Sequence, residues 1–176
     1  MKRIIAFCAA AALCLTLLSG CSAGKEDSPS QAPGKDVYLA PFAQTVTENH
    51  EMGGFLERID TEDPDMGEFM ADMLNNYYPG LTDLDLEQME VYMSMISFGS
   101  GELALVQAKN ADDAAKVQEI FQARVDSKST EGAGNYPEEV EMWQRSSEVV
   151  SQGNYVMLVC ADDCDAIVGE FNALFS

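Results

Sequence analysis

A chain of 176 residues with 30 acidic against 10 basic side chains carries a formal net charge of −20 at pH 7. That balance excludes nucleic acid as a partner, because such binding depends on Lys and Arg displacing counterions from phosphate. It also argues against a domain lying face-down on anionic lipid, while a hydrophobic content of 47% still suffices for one buried core.

Residues 1–20 have the three parts of a secretory signal: Lys2 and Arg3, an apolar run over 4–18, and small Ser19-Gly20 before a cut. The run is shorter than the about 20 residues that span a bilayer. Leu18-Ser19-Gly20-Cys21 matches the lipobox of bacterial lipoproteins and predicts a diacylglyceryl group on the Cys21 thiol, attached by lipoprotein-processing enzymes. Two acyl chains, at ~0.8 kcal/mol per buried CH₂, anchor stably where one does not. The expected location is therefore the outer face of the cytoplasmic membrane. An ordinary signal peptide cut after Ala23, or a buried thiol, is the competing reading. Residues 21–35 combine the lipidated Cys with a Ser-, Gly- and Pro-containing tether of ~20 Å r.m.s. reach. That exceeds the ~8 Å screening length at physiological salt.

Residues 36–176 read as a single α+β domain. Pro41 suits the first turn of a helix carrying Phe42, Val46 and His50, although Thr45, Val46 and Thr47 weaken its propensity. Asp63-Pro64 predicts the N-cap and first residue of a second helix. Met66, Phe69, Met70, Met73, Leu74 and Tyr77 form its apolar stripe, and Tyr78-Pro79-Gly80 stops it. The period then falls to two. Residues 88–98 alternate Met89, Val91, Met93 and Met95 with Tyr92, Ile96 and Phe98, and Gly99-Ser100-Gly101 turns the chain into a second strand over 102–109. Asn110 caps a helix whose stripe is Ala114, Val117, Ile120, Phe121 and Val125.

After Gly132-Ala133-Gly134, Pro137 opens a short helix bearing Val140 and Trp143. Strands over 147–152 and 155–161 flank a Gly153-Asn154 turn, and Asp162 caps a last helix with Ile167, Val168, Phe171, Leu174 and Phe175. Ala111-Asp112-Asp113 aligns with Ala161-Asp162-Asp163, Val117 with Ile167, and Phe121 with Phe171. Either an internal duplication or the common chemistry of strand-to-helix junctions produces that alignment. The expected architecture is a two-layer, four-stranded antiparallel sheet from two ββα-type units, with helices on one face.

Glu102-Leu103-Ala104, Phe121-Gln122-Ala123-Arg124, Asn135-Tyr136-Pro137-Glu138-Glu139 and Gly153-Asn154-Tyr155-Val156-Met157-Leu158 occur in that order. In these blocks the chain, over about residues 69–175, resembles a domain-of-unknown-function family of small secreted lipoproteins from Gram-positive bacteria. The resemblance implies a lipid-anchored extracytoplasmic domain without established activity, and it supplies no catalytic residues.

The residues themselves show no catalytic constellation. The single histidine, His50, would have to serve any Ser-His-Asp or Cys-His arrangement. No Gly-x-Ser-x-Gly elbow or phosphate-binding loop is present, and no cofactor is expected. Asp60, Glu62, Asp63, Asp65 and Glu68 invite a hard cation, but the run lacks the Gly and spaced acids of an EF-hand, so no metal site is expected. Asn75-Asn76-Tyr77-Tyr78 could stack on a sugar, a role set against Tyr77 continuing the core stripe. Cys160 and Cys164 read as small core residues carrying free thiols. The functional expectation is a lipid-anchored binding or interaction domain with an unknown envelope partner. The alternatives are an enzyme acting on envelope polymers and an accessory subunit of an envelope complex.

Overall fold

The computed structural model describes residues 36–95, 101–130 and 136–176. The signal, Cys21, the tether, Ile96, Phe98, Gly99-Ser100 and the Gly132-Ala133-Gly134 loop lie outside the described residues.

The elements run α1 (Leu39–Asn49), β1 (Leu56–Arg58), α2 (Gly67–Tyr77), a 3-10 turn (Leu81–Asp83), β2 (Leu86–Ser94) and β3 (Glu102–Ala108). They continue with α3 (Ala111–Lys128), α4 (Pro137–Ser146), β4 (Ser147–Gln152), β5 (Tyr155–Cys160) and α5 (Cys164–Ala173). Every strand pair is antiparallel, in the order β1-β2-β3-β5-β4.

This corrects the expected four-stranded, two-layer arrangement in two ways. First, β1 adds a fifth strand, with Leu56 opposite Ser94 and Arg58 opposite Tyr92. Three residues on a sheet edge, mostly exposed, leave no alternation for a sequence to display. Second, helices cover both faces. Ala104, Val106 and Ala108 of β3, with Val156 and Leu158 of β5, pack under Met70 and Leu74 of α2, Val117 and Phe121 of α3, and Trp143 of α4. Leu103, Leu105, Met157 and Val159 point the other way and pack under Phe42 and Val46 of α1 and Ile167 and Phe171 of α5. The side-chain period of two makes both readings available to one strand. The unbroken apolar runs in β3 and β5 reflect cover on each side.

The two hairpin–helix units therefore send their helices to opposite faces. Ala108 and Cys160 both point toward the α3 face. Two residues connect Ala108 to α3, whereas Ala161-Asp162-Asp163 connect Cys160 to α5. The longer connection accompanies the crossing to the far side, so the aligned sequences do not make a repeated structural unit.

Local chemistry explains the helix ends. Asn110 Oδ1 accepts from the Asp113 N–H at 2.9 Å, capping α3. Asp63 Oδ1 accepts from the N–H groups of Asp65 and Met66, at 2.9 and 2.8 Å, while its carbonyl receives the Gly67 N–H. Asp63 thus organises a turn, and α2 begins later than the Pro64 start expected. The Leu39 N–H at the start of α1 donates to Gln88 Oε1 at 3.0 Å, and Gln88 Nε2 returns a bond to the Val37 carbonyl at 2.8 Å. Within α1, Thr45 and Thr47 return their hydroxyls to the carbonyls of Pro41 and Ala43, so these residues are accommodated.

The α2 stripe is rotated from the expected one. Met70, Leu74 and the following Tyr78 are buried, whereas Met66, Phe69 and Tyr77 are exposed. Gly80, at φ 85°, reverses the chain after α2.

Cover on both faces gives a direct test. Met157→Ala and Leu158→Ala point to opposite faces from adjacent positions, and each should cost about 2–5 kcal/mol. Urea denaturation measures this; a near-neutral result at Met157 would contradict burial beneath α1 and α5.

Candidate functional site

Glu102 begins β3 on the same face as Ala104 and Val106 and is only 3% exposed. A carboxylate there must find donors or lose several kcal/mol of hydration. Arg124 supplies two: its Nε donates to Glu102 Oε1 at 2.9 Å and its Nη2 to Oε2 at 2.7 Å. The Tyr78 hydroxyl donates to Oε1 as well. Burial and the adjacent Glu102 charge hold the Tyr78 phenol well above its ordinary pKa, so it remains a donor. Burial works against the charge of Arg124, but Glu102 outweighs it and holds the guanidinium above its ordinary value.

The Arg124 guanidinium is also enclosed by rings. Its Cζ lies 4.4 Å from the centroid of Tyr77, 5.9 Å from Tyr78 and 5.6 Å from Trp143. Trp143 Nε1 is buried without an acceptor among the described residues, so the indole contributes area and a π-face. One turn after Arg124, Lys128 pairs with Glu139 of α4.

Above Arg124 a groove of about 590 Å³ opens between the end of α2 and α3. Tyr77, Pro79, Ile120 and Ala123 form its apolar walls. Asn76, Glu119, Ser127 and Lys128 supply the polar groups, with Arg124 at the base of the network just described. Arg124 gives Nε and Nη2 to Glu102, has Tyr78 as a further side-chain partner, and also lines the groove. The volume falls within the range of small-molecule sites. Both oxygens of Glu102 are engaged, so that carboxylate positions Arg124, and the arrangement is suited to holding a ligand.

The residues singled out by sequence are distributed differently. Tyr77, expected in the core, is 41% exposed and stands on the groove wall beside Asn76. His50 lies on the opposite face of the sheet. Its Nδ1 is 3.3 Å from Asp163 and its Nε2 3.2 Å from Glu170, linking the end of α1 to α5. Asp60 accepts from the Glu62 N–H and lies beside Arg58, so with Asp63 it belongs to a turn. Among the described residues no group of three or more His, Cys, Asp or Glu is placed to hold a metal ion. Cys160 and Cys164 are buried and free.

No motif marks Glu102 and Arg124 as a site. Their signal is a charged residue at a core position. Glu102 shares the parity of Ala104, Val106 and Ala108, and Arg124 follows Phe121 by one helical turn.

Residues 59–161 match a domain of unknown function, DUF4358. The chain belongs to this family. The match begins and ends earlier than the stretch 69–175 whose motifs carry the resemblance. No curated protein and no solved structure matches the chain. The family segment includes Glu102, Arg124, Trp143, Glu139 and the whole groove lining, while His50, Asp163 and Glu170 fall outside it.

Two predictions come from this geometry. Removing one partner of the buried pair, as Glu102→Leu or Arg124→Met, should cost about 3–5 kcal/mol, with the double variant recovering much of the loss. A denaturation double-mutant cycle checks it, and additive losses would rule out the coupling. Burial raises both thiol pKa values, that of Cys164 to about 11, with Glu102 adding to the effect at Cys160. A raised thiol pKa leaves little thiolate below it, so alkylation at pH 8 should be slow in folded protein and fast after unfolding.

Proposed function

We propose that the chain is a lipid-anchored extracytoplasmic binding domain of a Gram-positive envelope. The groove between α2 and α3 is its ligand site. The observation that carries this reading is a cavity of ligand size lined by Arg124, whose guanidinium is fixed by the buried Glu102. An arginine with its rotamer locked by a buried carboxylate offers preorganised donors, which lowers the ordering cost of binding. We read the groove as a binding site rather than a catalytic one, because its buried carboxylate is committed to Arg124 and Tyr78.

The leader, the lipobox and the tether support the location. Lipoprotein-processing enzymes would cleave before Cys21 and acylate it, leaving residues 36–176 outside the membrane. Among the described residues no helix is long and apolar enough to cross a membrane. A second reading, an accessory subunit docking on an envelope partner, is favoured by the exposed Met66, Phe69 and Tyr77 along α2.

Location is tested at the thiol. Wild-type protein should partition into detergent and carry a diacylglyceryl mass at Cys21, and Cys21→Ala should remain unprocessed or be released. Wild-type protein found in the aqueous phase without acyl mass would remove the lipoprotein reading.

A further inference from the structure

The ligand class can be narrowed by charge and hydrogen-bonding chemistry, given the reading of the groove as a ligand site. The two cations at the groove are each matched by a buried or nearly buried acid: Arg124 by Glu102 and Lys128 by Glu139. Glu119 adds a solvated negative charge at the rim, on a chain of formal charge −20. An anionic ligand therefore meets repulsion that no unmatched cation offsets, and a dianion such as phosphate meets more. A cationic ligand finds only the exposed Glu119 carboxylate, and a solvated pair of that kind contributes little.

What remains attractive is uncharged and polar. Asn76 offers both a donor and acceptor and Glu119 offers acceptors, beside Arg124 in the same lining. Neither the Asn76 nor the Glu119 side chain has a hydrogen-bond partner among the described residues. Tyr77 places an exposed aromatic ring beside them, with the Pro79 and Ala123 side chains continuing the apolar wall. An aromatic platform flanked by mixed donors and acceptors matches a ring with one C–H face and a rim of hydroxyls, each hydroxyl being donor and acceptor at once.

We propose that this groove binds a neutral saccharide, with a pyranose face against Tyr77 and ring hydroxyls bonded to Asn76 and Glu119 beside Arg124. Glu102 is the positioning residue that aims Arg124. The groove volume accommodates a short oligosaccharide segment.

Trp143 gives the experiment a built-in reporter, since it is the one tryptophan in the chain and Arg124 lies against its ring. The full-length chain in detergent is titrated with chitotetraose and, separately, with tetragalacturonate, following Trp143 fluorescence and backbone amide shifts. Saturable binding of chitotetraose with shifts at the end of α2 and along α3 is expected. Tetragalacturonate should bind at least about tenfold more weakly, as like charge on a shared site requires. Tyr77→Ala removes the ring 4.4 Å from Arg124 as well as the platform, so the thermal midpoint is measured beside it, and it should weaken chitotetraose by about tenfold. Asn76→Ala should weaken it with the thermal midpoint unchanged.

Equal or tighter binding of tetragalacturonate overturns the proposal, as does chitotetraose binding that Tyr77→Ala leaves intact. If neither saccharide binds while a library of small aromatic fragments shifts the same amides, the saccharide assignment fails and the groove reading stands. If nothing shifts those amides, both fall.

Discussion

A carboxylate held out of water has to be met by charge and hydrogen bonds, and Glu102 imposes that requirement on several elements at once. Its oxygens receive the Tyr78 hydroxyl at the end of α2 and two N–H groups of Arg124 in α3. Arg124 in turn lies against Trp143 of α4. Breaking any one contact leaves a buried charge or donor uncompensated, so the network restricts how these helices can sit on the sheet. The groove is a by-product of that restriction. α2 ends where Tyr78 must reach Glu102, and the preceding Tyr77 is left on the outer wall.

The sheet makes the arrangement affordable in burial terms because β3 and β5 are covered on both faces. One face carries the family segment's helices and the polar network; the other is closed by α1 and α5 and is held across its rim by His50 with Asp163 and Glu170. The polar chemistry of the two faces is thus separated by the thickness of the sheet.

Much of this order was legible in the residues. Asn110 before Asp112-Asp113 announced α3, Pro137 announced α4, and Gly153-Asn154 gave the β4–β5 turn its location. β1 was not legible, since three exposed-edge residues have no period. α2 showed its periodicity but not its facing. Met66, Phe69 and Tyr77 lie on one line along the helix and Met70, Leu74 and Tyr78 on the next, and only packing decides which line is buried. For the same reason the periodicity alone places Tyr77 on the core stripe. The second helical layer was encoded in β3, where Leu103-Ala104-Leu105-Val106 leaves no polar face, a pattern that reads as a strand without saying how many layers cover it. The site residues were visible only as exceptions: an acid on an apolar parity and an arginine on an apolar helical stripe.

The clamp between Gln88 and the start of α1 has a mechanical consequence. The Val37 carbonyl and the Leu39 amide are both bonded to one side chain of β2, and α1 then packs on the face opposite the groove. A pull on the chain ahead of residue 36 is therefore taken up first by Gln88 and by the contact of α1 with the sheet. The load enters β2 and β3 from the far side and does not run through α2 or α3. Were the chain held by an attachment ahead of residue 36, strain there would meet Gln88 and α1 before the walls around Arg124.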